Sequence, residues 1–187
     1  HGELAELPRL KVDALMGGMS GSVMYFSKAA LPELIDFYER ELSQRGWQRG
    51  DISSDSSTYL SGSYARDGES LSLSLSTDTS VSPARVMVSL TPHGSTKPAD
   101  LPRVSGTDVL YEGDATAIYV TDQNVSDTAK VTLEMLQAAG WQGSETVSQD
   151  SLRVLKLTLD GVELTAQISL APAQGNRTSI QYSVVKN

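Results

Sequence analysis

Leu7-Pro8-Arg9 returns as Leu101-Pro102-Arg103, and Gly46-Trp47-Gln48 returns as Gly140-Trp141-Gln142, each 94 residues downstream. Two strings sharing one offset make the chain a tandem repeat, and that reading decides the fold. Between these anchors Tyr25 matches Tyr119 and Leu42 matches Leu136, while Asp67-Gly68 reappears as Asp160-Gly161 after a one-residue slip. The 187 residues therefore divide into a first repeat at 7–94, a linker at 95–100 and a second repeat at 101–187. Units of this size bury enough surface to form a core without a metal or a disulfide. The recurring residues belong to turns, caps and core, and no set of reactive side chains recurs with them.

Outward from the Gly-Trp anchors the hydrophobic period changes. Before Gly46, Leu31, Leu34, Ile35, Tyr38 and Leu42 recur at three- and four-residue spacing behind Pro32, which predicts a helix with one apolar face. Glu33 suits its positive start and Arg45 its negative end, and Gly46 is placed to take the left-handed conformation that ends it. The second helix is expected from about Ser126 to Ala139, capped by Asn124 or Ser126 and ended by Gly140, with Val125, Ala129, Leu133 and Leu136 as its stripe.

After each Gly-Trp the period falls to two. Leu71, Leu73 and Leu75 alternate with Ser70, Ser72, Ser74 and Ser76, the pattern of a sheet with one wet face. Asp-Gly between Tyr59–Ala65 and Ser70–Ser76 predicts a tight hairpin, and Leu155–Leu159 with Val162–Ile168 repeats it. Final strands are read at Arg85–Leu90, with Val86, Val88 and Leu90 inward, and at Ser179–Val185, with Ile180, Tyr182 and Val184 inward. Ahead of the helices, short strands around Asp13–Met16 and Ser22–Phe26 flank a Gly-rich loop, and Val109–Tyr111 and Ala117–Val120 flank a loop with one Gly. Each repeat is thus expected to be an α+β unit, β-β-α-β-β-β, with one helix on an antiparallel sheet and a further short strand at Trp47–Ile52. Thr91–Asp100 has loop composition throughout and is read as the join, with the two halves packed together.

The net charge of -8 is shared evenly, 8 basic against 12 acidic residues up to Gly94 and 7 against 11 thereafter. An acidic surface repels phosphate backbones, so nucleic acid is not expected as a partner, and no polybasic membrane anchor is present. The chain has no cysteine, which removes disulfides, thiolate nucleophiles and zinc-cysteine sites. No run approaches the ~18 to 20 apolar residues of a membrane helix. The chain starts at His1 without an initiator Met, and trimming of a signal peptide, lipid-anchor segment or tag is expected.

The string Tyr25-x-Ser27, Leu31-x-x-Leu34-x-x-Phe37-Tyr38-x-x-x-Leu42 and Gly46-Trp47 resembles a module common in bacterial exported proteins and lipoproteins of uncharacterised function. The second copy keeps Tyr119, Leu136 and Gly140-Trp141 but has Val131 and Thr132 at the Phe37 and Tyr38 positions. The resemblance implies an exported, envelope-facing location, periplasmic or lipid-anchored, and a two-layer module with no reaction attached. The order of elements is also distantly similar to helix-grip modules of outer-membrane assembly lipoproteins, an association that carries no function.

Candidate chemistry is sparse. The histidines are His1 and His93, the latter read into the linker beside Pro92, and Gly18-Met19-Ser20-Gly21 is not a nucleophile elbow. Asp51 with Asp55, or Asp108 with Asp114, lack the spacing of a calcium loop and read as solvated turn residues. Trp47 and Trp141 read as seals between helix and sheet rather than as an aromatic platform. No catalytic, cofactor or metal-binding residues are expected. Met16, Gly17, Gly18 and Met19 form the candidate partner surface, two Met side chains on a Gly-rich loop that the second copy lacks. The reading that follows is a non-enzymatic, exported interaction or structural module that binds an envelope component or itself. The alternatives are a carrier of a small apolar ligand or lipid and, behind it, a carboxylate-based hydrolase.

Overall fold

The computed structural model describes residues 3–16 and 21–187, with backbone alone at 53–56. The first repeat runs β1 (Val12–Leu15), β2 (Val23–Ser27), α1 (Leu31–Gln44), β3 (Gln48–Ser56), β4 (Tyr59–Arg66), β5 (Glu69–Asp78) and β6 (Arg85–Gly94). The second runs β7 (Asp108–Glu112), β8 (Thr116–Thr121), α2 (Val125–Ala138), β9 (Gln142–Ser148), β10 (Leu152–Leu159), β11 (Val162–Ala171) and β12 (Arg177–Lys186). Each forms a six-stranded antiparallel sheet, in the orders β1-β2-β6-β5-β4-β3 and β7-β8-β12-β11-β10-β9. The fold is α+β in two similar units, each with one helix on its sheet.

The turn chemistry is as the dipeptides require. Asp67 and Gly68 have φ of 51° and 80°, and Asp160 and Gly161 have 49° and 78°, so both hairpins close on two left-handed residues. Gly46 and Gly140, at φ 83° and 98°, end the two helices. Arg45 reaches back over the last turn of α1, donating to the Glu41 carbonyl and carboxylate at 2.9 Å each. Asn124 is the cap of α2, its side chain accepting from the Asp127 N–H at 2.8 Å.

Period-two alternation places one row of each sheet under its helix. Tyr25, Val88, Leu75 and Leu60 face one another across four strands. Tyr25, Val88 and Leu75 are fully buried, as are Leu34, Tyr38 and Leu42 on α1. In the second unit Tyr119 lies opposite Ile180, and both are buried with Leu136, Leu164 and Ile168.

Two expectations change. The strand after each helix is real and longer than Trp47–Ile52: β3 spans nine residues, and β9 is its counterpart, so the unit is β-β-α-β-β-β-β. Thr91–Gly94, read as linker, continues β6, with Pro92 opposite Leu71 at a register shift. Proline is tolerated there because β2 pairs with β6 only as far as Leu90, which leaves that side of Pro92 without a strand needing its N–H. The division between the units falls between Ser95 and Thr96, Pro98–Asp100 is a short 3-10 turn, and Lys186–Asn187 belong with the first unit.

Candidate functional site

The four-residue β1 and the five-residue β7 each lie at one edge of their sheet, paired on one side only. An edge strand presents unpaired main-chain groups, and its side chains have fewer neighbours to cover them. Each edge carries one extra residue: Val12 and Ala14 oppose consecutive residues of β2, and Val109 and Tyr111 oppose consecutive residues of β8. Asp13 and Leu110 are the bulged residues, and a bulge re-aims the side chains around it.

The outcome is an apolar display in both repeats. Leu15 is 67% exposed and Met16 36%; Val109, Leu110 and Tyr111 are 50%, 47% and 54%. Leu15 pairs with Tyr25 and Val109 with Tyr119, so the two occupy equivalent positions opposite the buried sheet tyrosines. Met16 then corresponds to Leu110. The Met pair on a Gly-rich loop has no counterpart in the second copy, but the exposed apolar edge does, at the same strand. Its signal in the sequence was the run Val109-Leu110-Tyr111, which three consecutive apolar residues disguise as a buried strand.

The second edge is bracketed by ion pairs. Arg177 bonds Asp108 at 2.9 Å and Asp122 at 2.8 Å, while Arg103 bonds Glu112 at 3.0 Å. Tyr119 also donates to Glu112 at 3.0 Å, and the Arg103 guanidinium lies 4.2 Å from the Tyr119 ring. Both ends of β7 are thus tied to its own sheet, with the apolar triple between them. In the first unit Arg85 spans Asp13 at 3.6 Å and Asp78 at 3.1 Å, stacked 3.6 Å over Phe26.

Of the candidate surface Met16, Gly17, Gly18 and Met19, Met16 alone falls among the described residues, its N–H donating to the Met24 carbonyl at 3.2 Å. Trp47 and Trp141 are 6% and 5% exposed within their cores, in the position of a seal. His93 is buried in β6 rather than loose in a linker, and its Nε2 lies 2.7 Å from Ser72 Oγ. That contact unites a hydroxyl and a base. However, Ser72 lies inside a sheet flanked by β4 and β6, where neighbouring main-chain donors are engaged in pairing rather than converging on an oxyanion. Among the described residues no group of three or more His, Cys, Asp or Glu is arranged to hold a metal, and no helix is long and apolar enough to cross a membrane. Comparison with protein-family models, curated proteins and solved structures finds no match to this chain.

Proposed function

We propose that the protein is a non-enzymatic interaction module of the bacterial envelope, exported as its resemblance implies, and that β1 and β7 are its contact surface. One observation supports this reading above others: both repeats place large apolar side chains in solvent at equivalent edge positions, Leu15-Met16 and Val109-Leu110. Single exposed apolar residues are ordinary, but a recurring contiguous group at an unpaired edge marks a contact site.

The charges around β7 favour a particular partner. Antiparallel pairing of two copies about Leu110 would set Asp108 opposite Glu112 at both ends, a like-charge arrangement that costs energy. An apolar segment of another protein flanked by basic residues meets no such penalty. A carrier of lipid or apolar ligand has less support, because Leu34, Leu71, Leu73 and Leu75 are at most 1% exposed where helix meets sheet.

The test compares capture from an envelope extract by the intact chain and by the Leu15→Lys and Leu110→Lys variants, singly and combined. Loss of the same retained protein in each single variant, and a larger loss in the double, supports the reading. Retention unchanged by the double variant overturns it, and dimerisation of the isolated chain abolished by Leu110→Lys assigns the surface to self-association instead.

A further inference from the structure

Every residue of β7 is exposed, and pairing with β8 occupies one side of the strand alone. The main-chain N–H and C=O groups of its other side are a template for one more strand. Charge at the two ends decides which strand is taken. At the first end Asp108 and Asp122 share a single guanidinium, that of Arg177, which leaves one carboxylate in excess. The excess lies outermost, because the Asp108 side chain is 70% exposed and that of Arg177 27%. At the other end Glu112 bonds Arg103, and Asp114 follows two residues on, met by Lys97 at the long distance of 4.0 Å. A carboxylate has two oxygens and accepts further bonds beside the one to its first cation.

We infer that β7 binds an extended segment of another protein by strand addition, and that the segment has an apolar centre matched to Val109, Leu110 and Tyr111 with a Lys or Arg at each end. This rests on the reading of β7 as a contact surface, and adds to it the mode of contact and the sequence that is selected.

Antiparallel addition sets the basic ends opposite Asp108 and Glu112, and the apolar centre opposite the exposed triple between them. The same carboxylates disfavour a second copy of β7. The bulge at Leu110 also bends the edge, so no long ladder can grow from it. Selection is therefore by charge over a short contact. The first repeat provides a control at the equivalent strand. Lys11 and Lys28 are more exposed than Glu33 and Asp13, the carboxylates they pair with, so the edge at β1 presents the opposite sign.

The probe is a peptide blocked at both ends, Thr-Lys-Val-Leu-Val-Lys-Thr, compared with its charge-reversed form in which Glu replaces each Lys. Each is titrated into the intact, nitrogen-15-labelled chain while backbone amide shifts and amide hydrogen exchange are followed. The expected result is a saturable shift with slowed exchange at β7 and the residues beside it, given by the Lys peptide and absent at β1. The Glu peptide gives no response at β7. Asp108→Asn combined with Glu112→Gln keeps the shape of the edge, removes its charge and weakens the Lys peptide several-fold. Added salt weakens it likewise, and serves should the double variant not fold. Equal responses to the two peptides overturn the inference, as does binding that neither the double variant nor salt reduces. A shift at β7 that grows with chain concentration in the absence of peptide assigns the edge to a second copy and overturns it too. So does no response to either peptide; the broader reading of β1 and β7 is then judged separately, by whether Leu110→Lys still loses its partner from the envelope extract.

Discussion

Tyr25 on β2 and Tyr38 on α1 share a hydrogen bond through their hydroxyls inside the first core, where both side chains are fully buried. The Leu10 N–H donates to the Tyr25 hydroxyl from the other side at 3.2 Å, making a short polar thread through an apolar layer. Burial first, and then the bond to Tyr25, push the Tyr38 phenol far above its usual range. Tyr38→Phe leaves the Tyr25 hydroxyl one partner short, and is expected to cost about 1 to 2 kcal/mol. Denaturant unfolding of the intact chain measures it; a neutral result would mean that the thread adds nothing to stability.

The second unit builds the same layer differently. Thr132 stands at the Tyr38 position, while Tyr182, two residues past the partner of Tyr119, stands where the first unit has Leu90. The aromatic bulk has moved from helix to sheet, and its hydroxyl now donates to the Pro102 carbonyl at 2.8 Å. Thr132 Oγ1 is left buried without a partner among the described residues. Thr132→Val removes that hydroxyl at nearly constant volume, and should raise stability by about 1 kcal/mol. A loss of similar size would show that the hydroxyl is satisfied after all.

These exchanges explain what could be read in advance. Leu71, Leu73 and Leu75 announced their strand because one face is buried and the other wet, and Asp67-Gly68 announced its turn because few residues accept two successive positive φ values. Edge strand β9 announced nothing: most of Gln142–Ser148 is exposed on both faces, so no period marks it. Pro92 and Gly94 read as linker because their composition does, although a register shift and a missing neighbour let both sit in β6. The exposed apolar edge was half legible. Met16 drew attention by its chemistry, whereas Val109-Leu110-Tyr111 read only as a short strand beside a loop until pairing put it at an edge.

The buried tyrosines set an alkaline limit. Burial is the largest cause raising Tyr38, Tyr64, Tyr119 and Tyr182 above the usual phenol range. A group whose folded pKa exceeds its unfolded value of about 10 contributes stability that is fully present below that pH and is lost as pH rises toward the folded value. Stability should therefore begin to fall above about pH 10. Absorbance of tyrosinate and circular dichroism followed together should show these four phenols ionising with unfolding, not before it. Early, complete ionisation of all seven tyrosines in a folded chain would contradict the burial.

The two helices start unequally. Asn124 caps α2, whereas Ala30 precedes α1 with no side-chain bond to offer. Ala30 has extended backbone and Glu33 stands three residues on, so Ala30→Ser creates the reciprocal cap in which each side chain bonds the other's backbone N–H. A gain of about 0.5 to 1 kcal/mol is expected, and Asn124→Ala should cost about 1 kcal/mol. Thermal unfolding checks both signs, and an unchanged midpoint for Ala30→Ser would mean that Glu33 stays with Lys11, 2.6 Å away.

Trp47 and Trp141 close their cores at matched positions, so truncating either to Ala should cost about 3 to 5 kcal/mol. Phe separates the two. At Trp47 it removes an indole N–H that is buried without a partner among the described residues, which offsets part of the lost packing, though the guanidinium of Arg66 then faces a weaker ring. Trp141 Nε1 is not among the orphaned buried atoms, so Trp141→Phe gains no such offset. The expected order is a smaller loss for Trp47→Phe than for Trp141→Phe, measured by denaturant unfolding. Equal losses would show that the Trp47 N–H is hydrated at no net cost. A near-neutral Trp47→Ala would instead remove the indole from the seal and leave ligand contact as its role.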